Sequence, residues 1–306
     1  MREYKYHIPV MIREVLHSLA CHPGGVYIDG TLGMGGHASA ILEESDPDGM
    51  LIGIEWDEES LGIARETLAP FGNRVTFVHD TFEHMKGIMQ SLGLEGVDGI
   101  LLDLGISSYQ IERSDRGFSF KGEQTLDMRM DTRGRLTARD IVNRFPAKEM
   151  ERIIGEYGEE RWARRIAKAI VRAREKQPIE TTAELASIII SVIPHKPHFA
   201  RIHPATRTFQ ALRIAVNREL EYLAAAITDA VSLLKPGGRI CVISFHSLED
   251  RIVKHCFRNL EKTGPDAGKA MLFQLTRKPV RPSSEECVSN PRARSARLRA
   301  AERLAA

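Results

Sequence analysis

The chain has few cysteines for its length. Four occur among 306 residues, at scattered positions and without a CxxC pair. This usage excludes a disulfide framework and lacks the ligand spacing of a zinc site, so we expect no metal. Scattered, unpaired cysteines are typical of a reducing compartment, and we expect a cytoplasmic protein.

Long apolar runs and a secretory signal are also missing. The longest apolar run, at 188–193, is interrupted by a serine and is too short to span a bilayer. The N-terminal residues lack the apolar core and the cleavage site of a signal peptide. We therefore expect no membrane among the partners of this chain.

The sequence has no large excess of charge of either sign, but its charge is unevenly distributed. The net charge is +2, from 43 Lys+Arg and 41 Asp+Glu. Between Ile111 and Val216, 21 basic residues oppose 14 acidic ones, whereas the rest of the chain has a net charge of −5. The middle segment is therefore better suited to a polyanion such as RNA.

The stretch VYIDGTLGMGGH, at 26–37, has the pattern of a ligand-binding turn. Its apolar start predicts a buried parallel strand ending on Asp29, and the apolar spacing at 38–42 predicts a helix. A glycine-rich turn between a strand and a helix presents backbone N–H groups to a nucleotide-like ligand. No Gly-Lys-Ser/Thr follows, which argues against a phosphate-binding P-loop.

Acids end two further predicted strands. The strand at 50–54 leads into Glu55, and the strand at 97–102 leads into Asp103. Because parallel strands share a carboxyl edge, we expect Asp29, Glu55 and Asp103 to line one edge of an α/β sheet. Glu55 stands about twenty residues beyond the turn, where an acid accepts hydrogen bonds from ribose hydroxyls. The alternative for Glu55 is an ordinary solvated acid.

Two other predicted strands are followed by candidate site residues. The strand at 74–78 precedes Phe82, which is suited either to cover a planar base or to join the core. The strand at 240–245 precedes His246. This histidine is a candidate for substrate contact or proton removal, and its alternative is a structural residue that caps the turn.

The alternation of strands and helices stops after residue 110. Helical patterns follow at 138–144, 147–157, 160–175 and 183–192. We predict a sheet domain at 1–110 and 215–306, with a helical subdomain inserted at 111–214. A single long helix at 208–226 is expected to return the chain to the sheet.

Basic residues are concentrated in two segments. The predicted helix at 160–175 carries six, and the tail NPRARSARLRAAER has five arginines against one glutamate. Both segments are candidates for contact with phosphate groups. A solvated helix face is the alternative for the first.

Several blocks of this sequence resemble the RsmH (MraW) family, among them DGTLGMGGH, LLDLGISSYQ, LDMRMD, HPATRTFQALRIAVN and NPRARS. The blocks occur in order over nearly the whole chain. The resemblance implies a Rossmann-like class I methyltransferase sheet with an inserted helical subdomain that recognises the substrate. It implies S-adenosylmethionine as cofactor, and as substrate the exocyclic N4 of a cytosine in the decoding region of 16S rRNA, in the small ribosomal subunit. The sequence leaves the oligomeric state open, and a homodimer is one arrangement that we consider.

The resemblance also implies roles for individual residues. Glu55 would hold the ribose, although the family commonly has Asp at this position. Gln110 would close the site. The remaining cofactor contacts would be Gly35, Gly36 and His37 in the turn, with Phe82 and Asp103 beside the adenine and methionine moieties.

The chemistry of methyl transfer gives Asp103 a further candidate role. The N4 lone pair of cytosine is delocalised into the ring, so an acceptor for the amino hydrogens would orient it towards the methyl group. We hypothesise that Asp103, or a backbone carbonyl beside it, is that acceptor; the competing assignment is that Asp103 only binds cofactor. Two other functions share some of these features, namely an NAD-dependent Rossmann oxidoreductase and a non-catalytic RNA-binding protein.

Overall fold

In a computed structural model of the chain, the described residues are 9–112, 115–120, 122–194, 203–262 and 271–305. The chain divides into two compact units. One, the sheet unit, comprises residues 1–105 and 220–306, and the other, the helical unit, comprises residues 106–219. Among the described residues, no helix is both long enough and apolar enough to cross a membrane.

The sheet unit is built on a seven-stranded sheet in the order 3-2-1-4-5-7-6. The first five strands are parallel, and the seventh runs antiparallel to both of its neighbours. The predicted α/β fold class is thereby confirmed. The strands are β1 Val26–Asp29, β2 Met50–Glu55, β3 Val75–His79, β4 Val97–Asp103, β5 Leu234–Ser244, β6 Leu272–Gln274 and β7 Arg297–Arg303.

The helices cover both faces of this sheet and form most of the helical unit. In the sheet unit α1–α4 precede the insertion and α11–α13 follow it, whereas α5–α10 form the helical unit. In chain order the helices are α1 Ile12–Leu19, α2 Gly36–Glu44, α3 Glu58–Leu68, α4 Met85–Ser91, α5 Ser108–Glu112, α6 Ala138–Arg144, α7 Ala147–Gly158, α8 Ala163–Arg174, α9 Thr182–Val192, α10 Thr206–Asn217, α11 Leu223–Leu233, α12 Ser247–Lys262 and α13 Ser284–Ser289.

Both faces of the sheet are buried, which explains the continuous apolar runs of its central strands. Ile100 and Leu102 of β4 point into a core shared with α4, α11 and α12. Leu101 points to the opposite side, into a core shared with α1, α2 and α3. The carboxyl ends of β1, β2 and β4 are therefore held between two packed layers, which fixes the acids that terminate them.

In the helical unit, α7 packs against α8 and α10, and α8 packs against α9. Gly158 allows the close approach of α10, because a Cβ atom there would lie 2.6 Å from the carbonyl oxygen of Arg207. Thr137 and Thr181 start α6 and α9 with capping boxes completed by Asp140 and Glu184. These local signals explain why sequence spacing located the inserted helices well.

The predicted single helix at 208–226 is wrong. The chain instead forms α10 and α11, and the two units meet in sequence at Glu219 and Leu220. Arg218 adopts a left-handed conformation (φ 54°) and ends α10. The side chain of Asn217 bonds to the backbone of Met128 and Met130, which fixes the chain where the helix would otherwise continue.

The arginine-rich tail is a structural strand, so its predicted role in phosphate contact is wrong for most of its arginines. Arg297 and Arg299 bond to Asp250 at 3.0 and 2.8 Å. Arg303 donates to the carbonyls of Ser232 and Leu234. Apolar residues between the arginines, such as Leu298, face the core, and this two-residue alternation is the strand signal that arginine content obscured.

Candidate active site

The structure brings three of the predicted site acids to one edge of the sheet. Parallel pairing places Asp29 level with Gly53 of β2 and Leu101 of β4. Glu55 and Asp103 each lie two residues further along their strands, at the same carboxyl edge. This edge is where open α/β sheets bind their ligands.

The glycine turn beside this edge is shaped by conformation and by packing. Gly33 (φ 52°) and Gly35 (φ 84°) adopt the left-handed region that favours glycine. A Cβ atom at Gly36 would lie 2.3 Å from Cγ of Pro9, so this glycine is required by packing against the chain that precedes α1. Gly35 is the N-cap of α2, and no side chain caps the first turn of the helix. Its N–H groups are thus suited to an anionic ligand group.

Glu55 is buried and held by backbone donors. Its Oε2 accepts a hydrogen bond of 2.7 Å from the N–H of Gly33, and its Oε1 accepts one of 2.9 Å from the N–H of Asp57. Burial raises the pKa of Glu55 to about 7, against the lowering effect of these bonds. A carboxylate has lone pairs for about two further donors. Glu55 therefore ties β2 to the glycine turn and retains acceptor capacity for ligand hydroxyls.

Thr31 connects the other two acids. Its Oγ1 accepts a hydrogen bond of 2.6 Å from the N–H of Asp103. Its own N–H and hydroxyl face Oδ1 of Asp29 at 3.1 and 3.5 Å. The hydroxyl thus fixes the backbone of Asp103 relative to the end of β1.

His37 is neutral at pH 7 and presents a lone pair to Asp103. Burial lowers the pKa of His37 to about 4. Its Nε2 lies 2.8 Å from the carbonyl oxygen of Val10, which can only accept, so the ring proton is on Nε2. Nδ1 then faces Oδ2 of Asp103 at 3.6 Å as an acceptor. Two acceptors at this separation are suited to a shared donor from a ligand.

The acids at this edge have raised pKa values because they are buried. Burial raises the pKa of Asp29 to about 7 and that of Asp103 well above its usual range. The negative charges of Asp29 and Glu249 raise the pKa of Asp103 further. In the described part of the chain, Oδ1 of Asp103 is buried without a hydrogen-bond partner. A site with this surplus of acceptors fits a ligand that brings hydroxyl, amino or cationic groups.

His246 is held by its own helix. Its Nδ1 accepts from the N–H of Glu249 at 3.4 Å, whereas its Nε2 lies 3.1 Å from Oε1 of Glu249 and makes no hydrogen bond within the described residues. Glu249 also accepts from the N–H groups of Phe245 and His246, and thereby caps the first turn of α12. These contacts agree with the structural alternative for His246.

Phe82 and Gln110 are placed differently from the acids. Phe82 packs partly against the core and borders Gly30, where an added Cβ atom would lie 3.1 Å from its own Cβ. It is therefore both a core residue and a neighbour of the turn. Gln110 belongs to the helical unit, where its side-chain oxygen accepts from the N–H of Ser107 at 3.0 Å.

The sequence analysis gave no role to Thr31 and Glu249. Thr31 directly follows the Asp-Gly pair at the end of β1, and a hydroxyl at that position is a readable signal for a hydrogen bond near the site. Glu249 stands three residues after His246, at the spacing of a capping box. Its effect on Asp103, however, depends on the register of β4 and β5, which spacing alone does not provide.

The sheet order with its antiparallel seventh strand, together with a glycine turn and acids at the ends of β1, β2 and β4, defines a Rossmann-like class I methyltransferase. The model of the MraW methylase family matches residues 4–304. The chain belongs to this family, as its sequence blocks predicted. Family membership favours a methyltransferase over the oxidoreductase and over the non-catalytic RNA-binding protein.

Relatives match along nearly their whole length. The ribosomal RNA small subunit methyltransferase H of Symbiobacterium thermophilum is 52% identical over 310 residues, covering 98% of each chain. That of Geobacter sulfurreducens is 54% identical over 307 residues, covering 97% of this chain and 99% of the relative. A solved rRNA methylase of Streptococcus thermophilus is a distant structural neighbour, with a TM-score of 0.46, 10% identity and coverage of 98% and 99%.

Proposed function

We propose that this protein transfers a methyl group from S-adenosylmethionine to the exocyclic N4 of a cytosine in the decoding region of 16S rRNA. Support comes from family membership, from relatives named for the small-subunit ribosomal RNA, and from the acid-lined sheet edge. The buried, unpartnered oxygen of Asp103 at that edge is the observation that carries the chemical part of the proposal.

The residues of the sheet edge fit the cofactor group by group. Glu55 retains acceptor sites for the ribose hydroxyls, and the uncapped N–H groups of α2 suit the methionine carboxylate. Nδ1 of His37 and Oδ2 of Asp103 together offer acceptors for the methionine ammonium. Phe82, which borders the turn at Gly30, is the residue that we assign to cover the adenine ring. When bound, S-adenosylmethionine supplies an electrophilic methyl group.

Asp103 is the residue that we assign to the nucleophile. A hydrogen bond from N4–H to its carboxylate would turn the nitrogen lone pair towards the methyl group. Holding the two reactants in line contributes several kcal/mol of barrier reduction in reactions of this kind. The raised pKa of Asp103 also makes it a suitable temporary acceptor for the N4 proton.

The competing assignment is that Asp103 only binds cofactor. Measuring cofactor affinity and turnover independently distinguishes the two assignments. Because Asp103 also faces the methionine ammonium, we expect Asp103→Ala to weaken binding of S-adenosylhomocysteine about tenfold in calorimetry, whereas single-turnover methylation at saturating S-adenosylmethionine falls at least about 100-fold. Glu66→Gln, at an exposed position of α3, is the control for a carboxylate outside the site. Loss of affinity without a separate loss of turnover would support the competing assignment.

The substrate is tested in cells. Mass spectrometry of 16S rRNA from a strain that lacks this protein should show one cytosine in the decoding region without its N4 methyl group. We propose that the enzyme acts in the cytoplasm, where this RNA is assembled.

Purified 16S rRNA and assembled small subunits should be compared as substrates. Sedimentation would test the homodimer that remains one arrangement for the enzyme.

A further inference from the structure

Helix α8 of the helical unit presents an exposed basic face. Arg164, Lys168 and Arg172 follow one another at intervals of four residues and are exposed, and Arg165 lies beside them. Ile166 and Ile170 lie on the opposite side and are buried. At a rise of 1.5 Å per residue, the three basic side chains span about 12 Å of helix.

These side chains differ from Arg139 and Arg152 of the same unit in having no acidic partner among the described residues. Arg152 bonds to Glu149 and Glu156, and Arg139 bonds to Glu180. Within the part of the chain that the structure describes, no ion pair joins the basic face of α8 to a carboxylate. Four like charges close together on one helix repel one another, so helix stability does not explain them.

The first turn of α8 strengthens this point. Arg164 and Arg165 occupy it, and it contains no acidic residue. Positive side chains in the first turn oppose the helix dipole and are locally unfavourable. Local stability would favour Asp or Glu there, as at the start of α9. A residue choice that is locally unfavourable indicates a role outside the helix.

Trp162 organises two of the guanidinium groups that begin this face. Arg161 and Arg165 each lie over its ring, at 5.0 and 5.3 Å from the centroid. Such contacts hold a guanidinium by its plane and leave its N–H edge free for an oxygen ligand. Because these guanidinium groups are already ordered in the free protein, they lose less conformational entropy when they bind a phosphate.

We propose that this basic face, formed by Arg161, Arg164, Arg165, Lys168 and Arg172, binds the phosphate backbone of the RNA substrate. The proposal rests on the proposed function for its choice of RNA over another polyanion. The arginine content favours phosphate, because a guanidinium bonds two phosphate oxygens at once. The face positions the RNA without reading its sequence.

A second basic face in the molecule allows a matched control. On α12 of the sheet unit, Lys254, Arg258 and Lys262 are exposed at the same four-residue intervals as Arg164, Lys168 and Arg172. The triple change of either set to Gln removes three positive charges from the full-length chain. Any effect of net charge alone is therefore equal in the two variants.

The experiment measures binding of in vitro transcribed 16S rRNA over a range of salt concentrations. We expect the triple change Arg164→Gln, Lys168→Gln and Arg172→Gln to weaken binding about 10- to 100-fold at low salt and to lower the salt slope by about 2. The α12 variant should bind within about threefold of the unmodified protein. Affinity for S-adenosylhomocysteine and the melting temperature should be unchanged in both variants, which separates RNA contact from misfolding.

Each result decides the proposal. Equal losses of RNA affinity in both variants would show an effect of net charge alone and would overturn the proposal. Unchanged RNA binding in the α8 variant would also overturn it. If the unmodified protein and the α8 variant bind and methylate 16S rRNA equally well, the basic face does not bind RNA, but the proposed function still holds. If the unmodified protein neither binds nor methylates this RNA, both the proposed function and the proposal for the basic face are wrong.

Trp162 provides a second test at constant charge. Trp162→Leu keeps an apolar side chain and all the arginines but removes both cation–π contacts. We expect RNA affinity to fall about two- to fivefold, with a salt slope close to that of the unmodified protein. No change in affinity, in a variant with an unaltered melting temperature, would contradict the organising role of the tryptophan.

Discussion

The sheet unit contains two sets of acidic residues, Asp250 on the one hand and the acids at the sheet edge on the other, whose surroundings are opposite. Asp250 of α12 receives hydrogen bonds from Arg297 and Arg299 of β7. Burial alone would raise the pKa of Asp250, but the two arginines outweigh it and the pKa is lowered. At the edge of the same sheet, Asp29 and Asp103 have no positively charged partner among the described residues, and burial raises their pKa values.

This difference distinguishes a carboxylate that stabilises the fold from carboxylates that are suited to bind a ligand. The Asp250 carboxylate has both of its charge partners within the chain, and these bonds attach α12 to the strand inserted between β5 and β6. The acids at the sheet edge are incomplete without groups from outside the chain. Such incomplete groups are costly to the free protein, which is why they indicate a functional site.

The largest effect should follow from breaking the ion pairs of Asp250. Arg299 is 3% exposed, and Arg299→Met leaves Asp250 with only the more exposed Arg297. We expect the free energy of unfolding in urea to fall by about 3–5 kcal/mol, the usual cost of removing one partner of a buried ion pair.

The control for this change is Arg281→Met, at an exposed arginine of the same unit. It should alter the free energy of unfolding by no more than about 0.5 kcal/mol. If both variants were equally stable, the ion pairs of β7 would contribute nothing to the fold, and the contrast between the two sets of acids would fail.

The same isosteric change should have opposite effects at the two sets. Asp250→Asn weakens two hydrogen bonds to charged donors, and we expect a loss of about 2 kcal/mol in the free energy of unfolding at pH 8. Asp103→Asn removes an uncompensated charge, and we expect the free protein to be at least as stable as the unmodified one. Urea denaturation at pH 8 measures both. A clear destabilisation by Asp103→Asn would mean that this carboxylate has a structural partner.

The sequence predicted the acids at the sheet edge but not the ion pairs of Asp250. Asp29, Glu55 and Asp103 were predictable because each follows an apolar run, and parallel strands end at a common edge. The pairing of Asp250 with Arg297 and Arg299 was not predictable, since the arginines lie almost fifty residues further on and read as a basic tail. Only the antiparallel register of β7 with β5 brings them to α12.

The helices show the same limit. The bounds of α6 were predicted correctly because a threonine cap and a phenylalanine at the end of the apolar spacing mark them. The break between α10 and α11 was missed because Arg218 has no propensity to end a helix. Contacts of Asn217 with residues about ninety positions away determine it. Signals within one turn of the chain were readable, whereas long-range contacts were not.

The two sets of acids should also respond differently to pH. In the fold the pKa values of Asp29 and Glu55 are about 7, above those of the unfolded chain, so the folded state binds more protons between about pH 4 and 7. The free energy of unfolding should therefore fall as pH rises through this window. The lowered pKa of Asp250 contributes stability that is lost only at more acidic pH.

Saturating S-adenosylhomocysteine sharpens this test. Its hydroxyl and amino groups would favour the ionised acids, so the pH dependence between about pH 5 and 8 should become flatter and the affinity should increase with pH over the same range. Melting curves with and without the compound measure the effect. An identical pH dependence in both series would show that the titrating groups lie outside the ligand site.

The smallest effect concerns the hydroxyl that links the two site acids. Thr31→Val keeps the shape of the side chain but removes the acceptor for the N–H of Asp103 and the donor to Asp29. We expect a loss of about 1 kcal/mol in the free energy of unfolding, together with a drop in turnover that exceeds the change in S-adenosylhomocysteine affinity. Thr31→Ser, which retains the hydroxyl, should restore most of the turnover. If valine and serine were equivalent, the position of Asp103 would depend on the sheet register alone, and the hydroxyl would have no part in orienting the site.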